Sequence, residues 1–286
     1  MIASILDGIV LGFQFGLLAA GLTLVYGLGG VLHLAYGQMA VISAMVVLFS
    51  MNAGLPVLVA VGVGLVAGGL LGLILDLTIL RPVYRLHGEA RVLLSLLLTL
   101  GVAFVVDGFL NWRFPLDGLT LRVSGGPIEV LGVRMHRGSL VATGVTFVAF
   151  LALFGFLRGT AMGRAVRSVI EDEEGARLVG IDPRKMLRLI LVLSGVLAAI
   201  VGVTRSMSPG PVNVTAGFSI TVFALIVTVV GGLGSVTGAL LAGLILGVIN
   251  SIAASYIGTV LSLIILLVAA ALTIVLRPAG LLGVRE

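Results

Sequence analysis

The sequence predicts an all-α fold: a polytopic, membrane-spanning helical bundle of about eight to nine transmembrane helices, some of them interrupted at glycines. Three observations predict it. The 286 residues are 59% hydrophobic and 10% charged, with a mean hydropathy of +1.28. Soluble proteins carry about 25% charged residues, so the solvent for this much apolar surface is lipid. The apolar runs are long and apolar all round, unlike the short alternating strands of an outer-membrane barrel. The 41 glycines agree, because glycine is more frequent in membrane helices than in soluble ones. Cysteine is absent, so composition says nothing about redox compartment. The first residues lack the basic flank and cleavage site of a signal peptide, so the first apolar run is expected to be mature structure.

A membrane helix needs about 20 apolar residues. In chain order the expected spans are 3–28, 38–53, 55–79, 92–112, 138–157, 187–207, 218–232, 236–257 and 259–276. The stretch 218–257 is too long for one span and short for two. GGLGSVTG at its middle is expected to split it at a tight turn. The whole of 1–286 is expected to be one domain, with loops at 113–137 and 158–188 on opposite faces.

Arginine placement orients the bundle. Sixteen of the 17 basic residues are Arg. The segments 80–91, 158–188 and 277–286 hold 12 of them, against five in 113–137 and 204–217. The positive-inside rule makes the first set cytoplasmic, with the C-terminus inside and, for nine spans, the N-terminus outside. The pI near 10.4 therefore reads as topology and not as nucleic-acid binding.

Two interruptions stand out, YGLGGVLHLAYGQ (26–38) and VVGGLGSVTG (229–238). Unwound backbone inside a membrane must line protein or water, so broken helices point to a transport path. The candidate path residues are Gly29, Gly30, His33, Tyr36, Gln38, Gly231, Gly232 and Gly234. Glycine also serves close helix packing, and for 229–238 a plain turn serves equally well. Nothing near His33 supplies the other ligands of a metal site. Of the intramembrane carboxylates, Asp76 is expected to pair with Arg81 or Arg85, and Asp107 to snorkel or meet Arg113; Asp7 lies near the N-terminus. None sits clearly at mid-bilayer, which counts against an ion-coupled carrier.

Residues 158–188, RGTAMGRAVRSVIEDEEGARLVGIDPRKMLR, carry seven basic and five acidic residues in a chain otherwise almost uncharged. Met162, Ala165, Val166, Val169 and Ile170, then Ala176 and Leu178–Val179, recur at helical steps, which predicts one short amphipathic helix. Gly180 suits its C-cap, and Asp182-Pro183 suits the cap and first position of a new helix running into the membrane.

Glu174-Gly175-Ala176, then Arg177-Leu178-Val179, then Gly180 resembles the E-A-A, three residues, G signature of bacterial ABC importer permeases, with Gly175 where the pattern has Ala. The segments GLTLVYGLGGVLHLAYGQM, GRAVRSVIEDEEGARLVGID, FALIVTVVGGLGSVTGALLAGLILGVI and LRPAGLLG resemble, in order, the permease subunits of branched-chain amino acid ABC importers. That family is shared with urea and amide importers and is distantly related to ribose-type sugar permeases. The likeness covers most of the chain and is thin in 113–137. It implies that 174–180 is a coupling helix docking into a groove of the ATPase, with Glu174, Gly175, Ala176, Arg177 and Gly180 at the contact. It also implies a second, related permease in a heterodimer, two cytoplasmic ATP-binding subunits and an external substrate-binding protein. Arg113, Arg122, Arg134 and Arg137 would then be docking charges for that protein. No GxxxxGK[ST] phosphate loop is present, so ATP and Mg are expected to be used by the partner subunits, with no cofactor, metal or catalytic residue in this chain. The resemblance places the protein in the cell inner membrane. The competing expectations are a secondary transporter working without an ATPase, and an intramembrane enzyme. The second is weak, since His33, His87 and His136 form no cluster with Asp or Ser.

Overall fold

Eleven α-helices organise the described residues of the computed structural model, which are 2–114, 118–121, 126–130, 133–208, 212–277 and 280–282. They are α1 (Ile2–Gly29), α2 (Tyr36–Asn52), α3 (Val57–Thr78), α4 (Gly88–Arg113), α5 (Arg137–Gly159), α6 (Ala161–Glu171), α7 (Glu173–Leu178), α8 (Pro183–Met207), α9 (Gly217–Gly231), α10 (Val236–Ile257) and α11 (Thr259–Leu276). A 3-10 turn, Val83–Arg85, links α3 to α4. All nine expected spans are helical. Among the described residues, seven helices are long and apolar enough to cross a membrane, and Tyr36–Asn52 and Leu261–Leu276 are shorter. Four short strands lie between spans: β1 (Gly118–Leu119), β2 (Ile128–Val130), β3 (Val133–Met135) and β4 (Val212–Asn213). β1 pairs antiparallel with β4, Gly118 opposite Asn213, and β2 with β3, Glu129 opposite Arg134.

Small residues set the close contacts, as expected where lipid supplies no hydrophobic drive between helices. Gly8, Gly12 and Gly16 of α1, four apart, face Gly247, Gly243 and Ala239 of the antiparallel α10. A Cβ at Gly12 would stand 2.8 Å from the Leu244 Cα. Gly68 and Gly72 of α3 lie on the backbone of α8 at Gly195 and Leu191, and Gly202 of α8 lies on Ala40 of α2. These contacts bring the ends of α1 and α3 and the starts of α8 and α10 to one end of the bundle. It is the arginine-rich end, since Arg81, Arg85, Arg158, Arg164, Arg167 and Arg184 all lie there. Residues 280–282 lie at the same end: Leu281 N and Leu282 N donate to Val230 O and Gly231 O.

Two expectations about charge are corrected. Asp76 pairs with neither Arg81 nor Arg85. It accepts from Arg188 Nε of α8 at 2.8 Å and from the Tyr84 hydroxyl at 2.8 Å. The antiparallel packing of α3 on α8 brings Arg188 to the last turn of α3, closer than the loop arginines. Burial first, then the hydrogen bond to Asp76, pushes the Tyr84 hydroxyl far up, so it stays a neutral donor. Asp107 meets Gln38 and not Arg113; Arg113 lies over the Phe114 ring, 5.0 Å from its centroid. Of the other arginines expected to face outside, Arg134 makes an exposed pair with Glu129, Arg137 opens α5, and Arg122 lies outside the described residues, as do Pro278, Ala279, Gly283 and Arg285.

Candidate functional site

Two places combine unusual backbone with placed polar groups. The first is the break between α1 and α2. Helix α1 ends at Gly29, Gly30 takes φ +58°, and residues 30–35 are not helical. Helix α2 begins deep in the bundle. Its Tyr36 hydroxyl donates to Ser194 O at 3.0 Å, and Ser194 is roughly 16 Å along α8 from Pro183 by helical rise. The unwound stretch thus occupies the half of the bundle that α2 does not span, where its free backbone groups need protein partners. Helix α4 supplies them. Leu32 N donates to Ser95 Oγ (3.2 Å), Leu34 N to Thr99 Oγ1 (2.9 Å), and Arg91 Nη1 to Gly29 O (3.2 Å).

His33, Tyr36 and Gln38 are all buried at this break. His33 Nδ1 accepts from Ala35 N at 3.2 Å, while its Nε2 has no partner among the described residues. The Gly37 N–H donates to Thr221 Oγ1 of α9 at 2.8 Å. Gln38 Nε2 donates to Asp107 Oδ2 at 3.2 Å, which leaves Gln38 Oε1 and Asp107 Oδ1 buried without partners among the described residues. Beside Gln38 lies an apolar cavity of about 250 Å3, walled by Met39, Ile42, Leu71, Val102 and Val106. Gly231, Gly232 and Gly234 stand elsewhere. They form the α9–α10 turn at the arginine-rich end, with Gly232 at φ +103° and Gly234 at φ +90°, and Gly234 lies against Gly27 at the end of α1.

The second place is the charged elbow. The sequence leads to one amphipathic helix, but the structure has two. Thr160 caps α6 by accepting from Gly163 N at 2.9 Å, and Val166 and Val169 face the bundle. Asp172 then leaves the helical conformation and caps α7, its Oδ1 accepting from Glu174 N and Gly175 N at 3.0 Å each. A Cβ on residue 175 would lie 2.5 Å from the other oxygen of that capping carboxylate, so Ala here would require the Asp172 side chain to shift. Helix α7 is pinned by Ala176, 3% exposed, and ends at Gly180 with φ +85°, Ile181 N returning to Ala176 O at 3.0 Å. Asp182 accepts from Arg184 N at 3.0 Å and Pro183 opens α8. Arg177 pairs with Glu173 one turn away, and Glu174 is exposed.

The break at Asp172 shifts the helical phase. Leu178 and Val179, expected on the apolar face, are instead 89% and 75% exposed. This short helix, packed between α6 and α8, therefore presents two aliphatic side chains and the Glu174 carboxylate outward. Exposed aliphatic pairs are unremarkable in lipid, but these stand on the most charged segment of the chain, where the surface otherwise meets water.

The model of the family described as branched-chain amino acid transport system / permease component matches residues 4–276. The chain belongs to that family. It is a transport permease component and a multi-pass membrane protein. Among relatives of this permease, the high-affinity branched-chain amino acid transport system permease protein LivH of Escherichia coli is 29% identical over 97% of this chain and 94% of its own length. The corresponding protein BraD of Pseudomonas aeruginosa is 26% identical over 98% of this chain and 94% of its own. The fold is similar to a solved structure, PsaBC from Streptococcus pneumoniae in complex with Fab, with a TM-score of 0.50 and 14% identity over 95% of this chain and 94% of that one. These relatives support the expected importer permease and not the alternative of a secondary transporter.

Sequence reasoning found the break and the elbow. It missed Ser95, Thr99 and Arg91, which hold the unwound backbone, and it placed Leu178 and Val179 on the wrong face. Ser and Thr at positions 95 and 99 share a helix face, a signal that gains meaning only once the neighbouring break is known.

Proposed function

We propose that this permease is the membrane-spanning subunit of an ABC importer that carries branched-chain amino acids, with urea or amides as the second substrate class. The arginine-rich end, with the C-terminus, faces the cytoplasm. The chain pairs with a second, related permease and works with two ATP-binding subunits inside and a substrate-binding protein outside. It binds no nucleotide itself, and ATP and Mg act in the partner subunits. The single observation that carries the reading is α7: a capped, clamped helix whose exposed face is Glu174, Leu178 and Val179. Such a helix transmits a displacement between α6 and α8 without bending, which a flexible charged loop does not. Glu174, Gly175, Ala176, Arg177 and Gly180 shape or present it.

The path runs along the break, past Gly29 and Gly30 at its cytoplasmic mouth and His33, Tyr36 and Gln38 within. The apolar cavity beside Gln38 suits a branched aliphatic side chain. Gly231, Gly232 and Gly234 give the α9–α10 hairpin its freedom to turn beside that mouth. The test is uptake in proteoliposomes that hold the permease, its ATPase and its binding protein. Leucine uptake that needs ATP and is competed by isoleucine and valine supports the reading. ATP-independent uptake by this chain alone contradicts it.

A further inference from the structure

At the arginine-rich end a cavity of about 400 Å3 opens where α3 meets the start of α8. Four guanidinium side chains border it, those of Arg81, Arg85, Arg184 and Arg188, and they face one carboxylate, Asp76. That carboxylate is already engaged by Arg188 and by Tyr84. Arg81, Arg85 and Arg184 are exposed and make no ion pair among the described residues. The cup is therefore concave and bordered by three arginines that make no ion pair among the described residues, with Asp182 nearby at the start of α8.

Leu77 links the cavity to the apolar surface of α3. It lines the cavity and is also the last residue of a stripe, Val59, Val63, Val66, Leu70, Ile74 and Leu77, that follows one face of α3. Every member is exposed, and the spacing of three or four residues keeps them on one face. An apolar rail the length of a membrane helix thus ends in a basic cup at the edge of the apolar layer. Phosphate oxygens match the planar fork of arginine bidentately, and basic pockets between helices on the cytoplasmic side suit anionic headgroups.

We propose that this cavity binds an anionic phospholipid, its phosphate held by Arg81, Arg85 and Arg184 and its acyl chains lying along the α3 stripe. A protein partner is the competing occupant, because Tyr84, Arg85 and Arg184 also border a groove that reaches Glu173 and Arg177 of α7. Lipid is favoured by the recessed shape and by continuity with the exposed rail. A docking ATPase needs neither.

The test uses the purified importer complex titrated with phosphatidylglycerol or phosphatidylcholine and read by native mass spectrometry. Wild type should retain phosphatidylglycerol over phosphatidylcholine. Arg81→Gln/Arg85→Gln should weaken that retention roughly twenty-five-fold, at about fivefold for each arginine. Arg164→Gln/Arg167→Gln removes the same charge from exposed positions on α6 and should leave retention within about twofold. If the Gln pair fails to fold, Arg81→Lys/Arg85→Lys keeps the topogenic charge and should still weaken retention, having lost the fork. Four results overturn the proposal: equal binding of both lipids, equal loss in the α6 control, displacement of the lipid by millimolar inorganic phosphate, or loss of the ATPase subunit with lipid retention unchanged.

Discussion

Arg188 Nε donates to Asp76 Oδ2 at 2.8 Å, joining α8 to α3 across 112 positions of sequence. The carboxylate side chain is 5% exposed and the arginine 49%, so the pair is anchored at its acidic end and hydrated at the other. Asp76→Ala removes the acceptor for both Arg188 and Tyr84. It should lower stability by about 2 kcal/mol, the usual size for hydrogen bonds to a charged group. Thermal melting of the purified chain reads this directly, and an unchanged melting temperature would remove the pair from the forces holding α3 on α8.

The glycine face between α1 and α10 makes a sharper demand. Gly12→Val places a branched side chain against backbone and should destabilise the chain by about 2 kcal/mol or more. Gly62→Val, at a position of α3 with nothing within 4 Å of a Cβ, should be neutral. Folded yield by size-exclusion chromatography separates them; equal yields would mean that the close approach is not required.

Gln38→Leu keeps the bulk of the side chain but leaves the half-buried Asp107 without its amide donor. Uptake should fall roughly tenfold, the scale of one unsatisfied buried polar group, while the ATPase stays bound. Uptake at the wild-type rate would take Gln38 out of the path.

Gly180→Val should cost about 1–2 kcal/mol at the elbow, because a β-branched residue is disfavoured at φ +85°. Gly180→Asn should be milder, since Asn tolerates that region. Hydrogen exchange of 173–182 should rise in the Val variant and stay near wild type in Asn. Equal exchange in both would show that the conformation at 180 does not hold α7.

The spans were legible because length and hydropathy alone decide them, and the start of α8 was legible because Asp182 and Pro183 are local signals. The break at Asp172 was not. Apolar residues at helical steps run on either side of Glu171 to Glu174 and read as one helix, although Asp172 is the one favoured N-cap in that run. The partner of Asp76 was hidden for another reason: nearby arginines suggested a local pair, whereas tertiary packing supplied a distant one. Helix α2 read as an ordinary span, yet it starts inside the bundle, because Ser95 and Thr99 satisfy the backbone before it.

The central claim is that the outward face of α7 is where the ATPase engages the membrane. Leu178→Asp and Glu174→Arg leave the caps at Asp172 and Gly180 intact and lie outside every span. The decisive measurement is ATP hydrolysis stimulated by substrate-loaded binding protein in the reconstituted complex, with the ATPase-to-permease ratio recorded alongside. Both variants should insert normally, retain less ATPase and lose the stimulated rate. An ordinary positive-inside loop would accept Glu174→Arg without effect, since added cytoplasmic arginine only strengthens topology. Wild-type stimulation and full ATPase retention in both variants would contradict the claim.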